Sequence, residues 1–446
     1  MTKHMCRWFL LAILSASFAQ LGVAEERFIL RVPPALLDQL VAKYGLNVVK
    51  PLDSHGFAVV SAADSKIKDA IKDELEIDPD DKGIESDNSV PVPELKRNAR
   101  LSPPADPILA ALAARTPVSF YGAKAWNSYV NQPAGGSIYL KEAQHEYATG
   151  SGIIAIIDTG VDPGHPVLKA SLVEGYDFTR DIAGMASELG DLDQSTAVIL
   201  DQSTAAILDK DSVVMINQST AAILDQSTAV ILDKNLLPSA FGHGTMIAGI
   251  VHLVAPTAKI MPLKAFNADG TASTSNIVRA IYYAVDSGAS VINMSFSLDQ
   301  PSVELAKAVN YAAARGVICV ASAGNGGQES LVFPAAFRGV LGVAAVGDAG
   351  LRSPFSNYGS AVALLAAPGE GIVTTYPGAN YAVVSGTSFA AAFISGGGNL
   401  MQHVHHDLTV QEIIQALSNK KKAAVDLGYG RVDFYRVLKA LKEMPD

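Results

Sequence analysis

The sequence predicts an α/β fold with a central parallel sheet, preceded by a small α+β domain. From Ser137 onward, short apolar runs alternate with helix-like stretches, which is typical of a parallel sheet with crossover helices. The 446 residues are 49% hydrophobic and 17% charged, which is too apolar for a disordered chain. Two cysteines are too few for a disulfide scaffold, and a net charge of −10 without a basic stripe argues against a nucleic-acid partner.

Residues 1–24 have the pattern of a secretory signal peptide. A basic start at Lys3 and Arg7 precedes an apolar run and small-residue cleavage positions at Ala19 or Ala24. The alternative is a membrane anchor, but this run is too short and too interrupted by polar residues to cross about 30 Å of hydrocarbon. We therefore expect a secreted product, extracellular or periplasmic, with no stable membrane span.

Residues 25–95 predict a small separate domain. The order of its elements, βαββαβ, is typical of a ferredoxin-like unit. The predicted elements are the strand Phe28–Val32, the helix Ala35–Tyr44, the strands Leu46–Val49 and Gly56–Val60, the helix Ser65–Leu75 and the strand Gly83–Val90. Residues 96–136 carry proline pairs and adjacent basic residues, with some helical character at Ile108–Ala114, and predict a linker.

The main domain, residues 137–446, carries the predicted parallel strands. They are Gly152–Ile157, Lys259–Phe266, Ser290–Ser295 and Val317–Ala321. The last strand contains Cys319, which we interpret as a core residue because a lone cysteine in an apolar strand is seldom catalytic.

An octapeptide repeat at 193–232 interrupts this alternation. Its units read DQSTAVIL, DQSTAAIL, DKDSVVMI, NQSTAAIL and DQSTAVIL. An eight-residue period lets an apolar stripe spiral around a helix, whereas each unit has a strand-like half and a turn-like half, which favours a β-meander or a short solenoid. The repeat lies between the first two catalytic motifs described below, so we hypothesise an exosite or self-association arm; the alternative is a tolerated expansion with no role.

Three glycine-containing motifs carry the chemistry. Asp158 ends a buried strand, where α/β sheets place their sites, although such an aspartate is also compatible with a metal ligand or a helix cap. His243 stands between two glycines that leave its ring accessible, although a single histidine is usually structural. Ser388 begins a helix of small residues, where it is either an N-cap or a nucleophile whose oxyanion the helix N-terminus stabilises.

Taken together, in the order Asp, His, Ser, these motifs resemble those of the subtilisin-like serine proteases. The matching segments are Asp158–Asp162, His243–Gly249 and Gly386–Ala390, and the resemblance extends from about Ser137 to Leu438. It implies a subtilisin-like three-layer fold, and it implies that residues 25–95 are an inhibitor-like propeptide. It also implies an endopeptidase that autoprocesses from a zymogen and acts on protein or peptide substrates.

The resemblance assigns a role to each motif. Ser388 is the nucleophile, His243 takes its proton and returns it to the leaving amine, and Asp158 orients the histidine. Asn325 in a Gly-Asn-Gly sequence is implied to donate to the oxyanion, although that sequence is also a good turn.

The resemblance also implies where substrate binds, as an added strand. The predicted edges contain Ser295, Phe296 and Ser297 on one side and Gly270 on the other, with Gly324 beside the asparagine. Ser297 stands where the family usually has glycine, so its side chain is expected to narrow the primary pocket.

No cofactor is required by this chemistry. The family commonly binds structural calcium, but no oxygen-rich loop is distinct enough to name ligands. His403, His405 and His406 are compatible with a metal, although cations at a helix C-terminus are favourable without one. Lys420–Lys422 is interpreted as a solvated turn.

Two other functions compete with the protease. One is a catalytically weak or inactive protein of the same fold, whose repeat mediates binding or self-assembly. The other is an esterase, which needs a Gly-x-Ser-x-Gly elbow and the order Ser, Asp, His; Ser388 comes last and lacks that elbow.

Overall fold

The computed structural model describes residues 25–64, 66–75, 82–93, 115–184, 186–192, 237–406, 408–418 and 426–444, and the backbone of 214–215 and 221–223. The predicted signal peptide, the helical stretch Ile108–Ala114, most of the repeat and Lys420–Lys422 lie outside these residues. The chain divides into two compact units, one ending at Ser86 and the other beginning at Asp87.

The first unit is a four-stranded antiparallel sheet with two helices. Its elements are β1 (Glu26–Arg31), α1 (Pro34–Tyr44), β2 (Asn47–Lys50), β3 (Phe57–Ala62), α2 (Lys66–Glu74) and β4 (Gly83–Ser86). The strand order β2-β3-β1-β4 is the ferredoxin-like order that the sequence predicts. Alternate residues of β1 and β3 pack on the helices, because neighbouring side chains of a strand point to opposite faces.

The predicted strand Gly83–Val90 is in fact two strands in different units. β4 pairs with β1, whereas β5 (Ser89–Pro91) pairs with an edge strand of the second unit. Between them, the carboxylate of Asp87 accepts hydrogen bonds from the backbone N–H and the hydroxyl of Ser275, both at 2.8 Å. These side-chain contacts hold the chain outside the first sheet, and strand propensity alone does not reveal them.

An eight-stranded sheet forms the centre of the second unit. Its strands are β8 (Ile153–Asp158), β9 (Gly175–Asp177), β10 (Ile182–Gly184), β13 (Lys259–Lys264), β15 (Ala289–Met294), β16 (Ile318–Ser322), β17 (Val340–Val346) and β18 (Leu365–Pro368). The order is β10-β9-β13-β8-β15-β16-β17-β18, and every neighbouring pair except β10 with β9 is parallel. The predicted parallel sheet is therefore confirmed, with β8 near its centre.

Helices cover this sheet to give three layers. They are α6 (His243–Val254), α7 (Thr274–Asp286), α8 (Val303–Ala313) and α9 (Thr387–Val404). Every residue of α6 is buried, as are the first fifteen residues of α9, and the two helices pack on each other. Helices that are apolar on all sides belong in the core of a large domain. Their N-termini carry the histidine and serine motifs.

Residues 115–136, which the sequence assigned to the linker, form part of the second unit. They form the hairpin β6 (Pro117–Phe120) and β7 (Ala123–Trp126) and the short helices α3 (Asn127–Val130) and α4 (Pro133–Ser137). Tyr129 is fully buried and donates a hydrogen bond from its hydroxyl to Gly249 O at 2.7 Å. The remaining helices are α5 (Leu140–Glu146), α10 (Val410–Ser418) and α11 (Phe434–Lys442).

Two short strands fall within the repeat. β11 (Val214–Met215) pairs with β12 (Ala221–Ile223), and β12 pairs antiparallel with β20 (Asn380–Val384), which itself pairs with β19 (Ile372–Tyr376). β14 (Thr271–Ser273) completes the strands and pairs with β5. The strand that receives the repeat is the one that leads into the serine motif. In the described part of the chain, no helix is long and apolar enough to cross a membrane.

Candidate active site

Asp158 is the last residue of a buried central strand. The side chain of Asp158 is almost fully buried, and its Oδ1 accepts a hydrogen bond from the backbone N–H of Thr159 at 2.7 Å. β8 lies between β13 and β15, and the residues of β8 that precede the aspartate, 154–157, are at most 1% exposed. The strand therefore brings one carboxylate to the edge of the sheet where parallel α/β folds bind ligands.

His243 begins α6 and lies against this carboxylate. His243 Nδ1 is 2.7 Å from Asp158 Oδ1, and the ring is 3% exposed. A side chain at Gly244 would collide with the carbonyl oxygen of Gly160, so the glycine after the histidine lets the two motifs touch. A carboxylate on Nδ1 favours the tautomer in which Nε2 is the basic nitrogen.

Ser388 is the second residue of α9. The cap position belongs to Gly386, which makes no side-chain cap, so the alternative interpretation of Ser388 as an N-cap is wrong. The ring of Phe389 lies 5.7 Å from the ring of His243 between centroids, so the serine motif is adjacent to the histidine. Ser388 Oγ is 3.4 Å from the carbonyl oxygen of Ser295, a long hydrogen bond in this conformation.

Asn325 lies in the turn after β16, next to the serine helix. Its Oδ1 accepts hydrogen bonds from the backbone N–H of Thr387 at 2.9 Å and from the Thr387 hydroxyl at 2.8 Å. Because Thr387 engages the amide oxygen, the amide nitrogen is the group that can donate to an oxyanion.

The predicted substrate-contacting residues occupy two edges beside these groups. Ser295 Oγ donates to the carbonyl oxygen of Ser388 at 3.1 Å, which ties one edge to the serine. The Phe296 ring is fully buried against Phe266, so only its backbone is suited to contact a substrate. The remaining predicted edge residues are Ser297, which is 3% exposed, Gly324, which follows β16, and Gly270, which precedes β14.

The edge at Gly270 already carries a strand from the same chain. Val90 lies opposite Ala272 in an antiparallel pair, and Val92 N–H donates to Gly270 O at 2.9 Å. Both valines are 1% exposed. At the other end, Asn88 O accepts hydrogen bonds from Thr274 N–H at 2.9 Å and from its hydroxyl at 3.1 Å. Residues 87–93 thus bind this edge as an added strand would.

Sequence reasoning missed the polar residues behind the motifs. Glu188 is fully buried and accepts hydrogen bonds from Thr159, Gly242 and Thr245, and Lys264 is fully buried beside them. Burial raises the pKa of Glu188 to about 8, although its hydrogen bonds and Lys264 act to lower it. A lysine inside the apolar run 259–266 was a signal for a buried ion pair, whereas no spacing rule identifies Glu188.

The structure also describes the surroundings of Cys319 and His405, two titratable groups outside the three motifs. Cys319 is a free thiol in the core, and burial raises its pKa to about 12. The Nδ1 atom of His405 lies 3.1 Å from the carbonyl oxygen of His406. No group of three or more His, Cys, Asp or Glu side chains suited to a metal occurs among the described residues, so we assign no metal ligands.

The chain is similar in sequence to known proteins of one family. Residues 150–435 match the family model described as the subtilase family. A thermophilic serine proteinase of Bacillus sp. (strain AK1) is 31% identical over 288 residues, which are 64% of this chain and 61% of that protein. Subtilisin BL of Lederbergia lenta is 34% identical over 196 residues, which are 42% of this chain and 71% of that protein.

Solved structures share the fold. Fervidolysin from Fervidobacterium pennivorans, described as a keratinolytic enzyme related to subtilisin, has a TM-score of 0.67 at 20% identity and covers 95% of this chain and 61% of its own. The epidermin leader peptide processing serine protease of Staphylococcus aureus has a TM-score of 0.62 at 20% identity, and the match covers 93% of this chain and 99% of that protein. The chain thus spans about three fifths of the Bacillus proteinase and of fervidolysin.

Proposed function

The chain belongs to the subtilase family of serine proteases, and from that premise we propose that it is a secreted endopeptidase made as an autoprocessed zymogen. The observation that supports the proposal best is the 2.7 Å contact of His243 Nδ1 with Asp158 Oδ1, beside the helix that carries Ser388.

The proposed reaction passes through an acyl-enzyme. Ser388 Oγ attacks the carbonyl carbon of the peptide bond while His243 Nε2 takes its proton, and Asp158 stabilises the resulting imidazolium. Asn325 and the Ser388 N–H donate to the oxyanion. The tetrahedral intermediate collapses, His243 gives the proton to the leaving amine, and a water molecule activated by the same nitrogen hydrolyses the ester.

The zymogen proposal rests on the strand that occupies the edge at Gly270. A propeptide that binds this edge through residues 87–93 competes with substrate for the same backbone partners. Maturation then requires cleavage somewhere in 95–130 and release of the first unit.

The experiment compares the wild type with Ser388→Ala in a protease-free secreting host. The proposal expects a mature wild-type protein that cleaves a protein substrate, and a Ser388→Ala protein that lacks residues 1–24 but keeps the propeptide. N-terminal sequencing reads both cleavages. A Ser388→Ala protein that matures normally contradicts autoprocessing, and a protein that keeps residues 1–24 contradicts secretion through this signal.

A second role is proposed for the repeat as an exosite or self-association arm. The pairing of β12 with β20 supports it, because it links the repeat to the strand before the serine motif. Residues 193–232 are replaced by a short Gly/Ser bridge, and cleavage of a small peptide, cleavage of a protein and oligomeric mass are measured. Loss of protein cleavage with peptide cleavage retained, or loss of oligomers, supports the role. If all three measurements are unchanged, the repeat has neither role.

A further inference from the structure

Three titratable side chains, Glu188, Asp191 and Lys264, lie together behind the Asp158 and His243 motifs. Glu188 and Lys264 have no exposed surface, and the Asp191 side chain is 14% exposed. Because burying a charge is costly, groups such as these persist only when specific partners compensate them.

Glu188 connects the two catalytic motifs directly. Its Oε2 accepts hydrogen bonds from Thr159 Oγ1 and from Gly242 N–H, both at 3.0 Å, and its Oε1 accepts one from Thr245 Oγ1. Thr159 belongs to the aspartate motif, whereas Gly242 and Thr245 lie on either side of the histidine. One side chain therefore holds both motifs.

The donors leave little choice of residue at position 188. Thr159 Oγ1 accepts from Gly244 N–H at 3.0 Å, and Thr245 Oγ1 accepts from Asp162 N–H at 2.8 Å. Each hydroxyl can then give its own proton to the glutamate. Three donors converge on two oxygens, so both oxygens of the Glu188 carboxyl group act as acceptors, whereas a glutamine at this position would offer only one acceptor oxygen.

Lys264 and Asp191 hold the same loop from the other side. The ammonium of Lys264 donates to Thr159 O at 2.8 Å, to Phe266 O at 2.7 Å and to Asp191 Oδ2 at 2.6 Å. These three bonds use all three of its protons. Asp191 stands three residues after Glu188 in one 3₁₀-helical turn, so both carboxylates face the same side.

The backbone before Glu188 also contacts the aspartate motif. Val161 N–H donates to Ala186 O at 3.0 Å. A side chain added to Gly160 would lie 2.6 Å from the backbone nitrogen of Glu188, so the two segments are as close as a glycine permits. A shift of Glu188 therefore moves the segment that follows Asp158.

We propose that Glu188 is a positioning residue for the triad, which sets the mutual placement of the Asp158 carboxylate and the His243 ring by holding both backbones. The inference rests on the proposed protease function. It assigns to Glu188 a contribution to turnover rather than to substrate binding, because the three motif residues that bond Glu188 or Lys264 are Thr159, Gly242 and Thr245, and none of them belongs to the predicted substrate edges. Misplacement of a catalytic group by about 1 Å is enough to cost about 10²-fold in rate.

The test compares Glu188→Gln and Glu188→Ala with Glu304→Gln as a matched control. Glu304 is a buried glutamate on α8 that pairs with Lys307 of its own helix. Peptide hydrolysis, the rate of labelling by a fluorophosphonate and the thermal midpoint are measured on the mature enzymes. We expect kcat and the labelling rate to fall about 10-fold in Glu188→Gln and about 100-fold in Glu188→Ala, with KM within twofold and the control unchanged.

Each other outcome overturns the inference. A raised KM with unchanged kcat assigns Glu188 to substrate binding. Turnover per folded molecule within twofold of the wild type, so that activity falls only in proportion to the folded fraction, assigns Glu188 to the fold alone. An unlabelled and inactive wild type is a separate result, because it refutes the protease function itself.

Discussion

Two threonines next to residues of the proposed active site orient their neighbours. Thr387 gives both its N–H and its hydroxyl to Asn325 Oδ1, and its own Oγ1 accepts from Gly324 N–H at 3.2 Å. Thr159 lies between Gly244 N–H and Glu188 in the same way. In both cases the threonine is β-branched and therefore restricted at χ1, so its hydroxyl has a fixed position and fixes the orientation of the side chain that accepts from it.

We expect Asn325→Ala to lower kcat by about 10²–10³ with little change in KM, a range measured for the corresponding asparagine of subtilisin itself. The reason is that the amide stabilises charge that exists only in the transition state. Steady-state kinetics on a folded, mature variant measures the effect. An equal loss in kcat and gain in KM, or no loss, contradicts the assignment of Asn325 to the oxyanion.

Glu188 gives stability a distinct pH dependence. Its pKa is raised from 4.5 to about 8 in the folded state, so the folded protein holds a proton that the unfolded protein has lost between these values. The contribution of Glu188 to the free energy of unfolding is therefore full below pH 4.5 and falls as pH rises toward 8, by at most about 1.4 kcal/mol per pH unit.

The measurement is the difference in unfolding free energy between the wild type and Glu188→Gln from pH 5 to pH 8. Subtracting the variant removes the contributions of other groups, such as His165 and His252, whose pKa burial lowers to about 4. A difference that stays constant with pH, or that grows in favour of the wild type, contradicts the raised pKa.

The sequence predicts the proposed reacting groups better than it predicts the side chains that hydrogen-bond to their motifs. Asp158, His243 and Ser388 stand in short motifs that local chemistry explains. Glu188 has no such motif, because its partners come together only when β8, α6 and the loop before the repeat pack against one another. The interpretation of Ser388 as an N-cap was wrong, because the cap position is Gly386, two residues before Ser388.

Among the elements, the pairing of β5 with β14 is the one on which the proposed inhibition by the propeptide depends. It uses backbone hydrogen bonds at Asn88, Val90 and Val92, and the carboxylate of Asp87 caps the N-terminus of α7 through Ser275. A negative charge at a helix N-terminus is favourable, which adds to the hold on this segment.

We expect Asp87→Ala to mature faster than the wild type, because the segment that covers the substrate edge loses two charge-assisted hydrogen bonds. Asp69→Ala is the control, since it removes the same charge from an exposed position on α2. The time course of conversion to the mature size in secreting cells gives the comparison. Equal rates for the two variants and the wild type argue that Asp87 does not restrain maturation.

The predicted bounds of an element agree with the structure where one signal, such as a continuous apolar run, determines the element. The predicted strand Val317–Ala321 corresponds to β16, which is shifted by one residue at each end to Ile318–Ser322. The run Gly83–Val90 was divided instead, because Asp87 meets a partner far away in the chain. The repeat gave the expected strand-like segments at β11 and β12, yet its attachment to β20 depends on tertiary contact and not on its eight-residue period.

The whole molecule contains two units. Within each unit, the order of strands and helices is predicted by composition and by the alternation of apolar runs with helix-like stretches. Apolar runs that are buried on both faces predicted the parallel sheet, and the βαββαβ pattern predicted the first unit. The boundary between the units is a different kind of property. It falls at Ser86 because of contacts made by residues 87–93, and the proposed propeptide end at residue 95 remains a prediction.

Counting thiols tests the proposed secretion signal. The chain has two cysteines, of which Cys6 lies in the predicted signal peptide and Cys319 is buried in the core. We expect purified secreted protein to show no thiol that reacts in the native state and one after denaturation. Two thiols after denaturation contradict removal of residues 1–24.

The residue that a fluorophosphonate labels, read by peptide mass spectrometry on the mature protein, shows whether Ser388 is the nucleophile. We expect one modified residue, Ser388, with labelling abolished by His243→Ala and by prior heating. Labelling elsewhere, or labelling of Ser388 that survives removal of the histidine, would contradict this expectation.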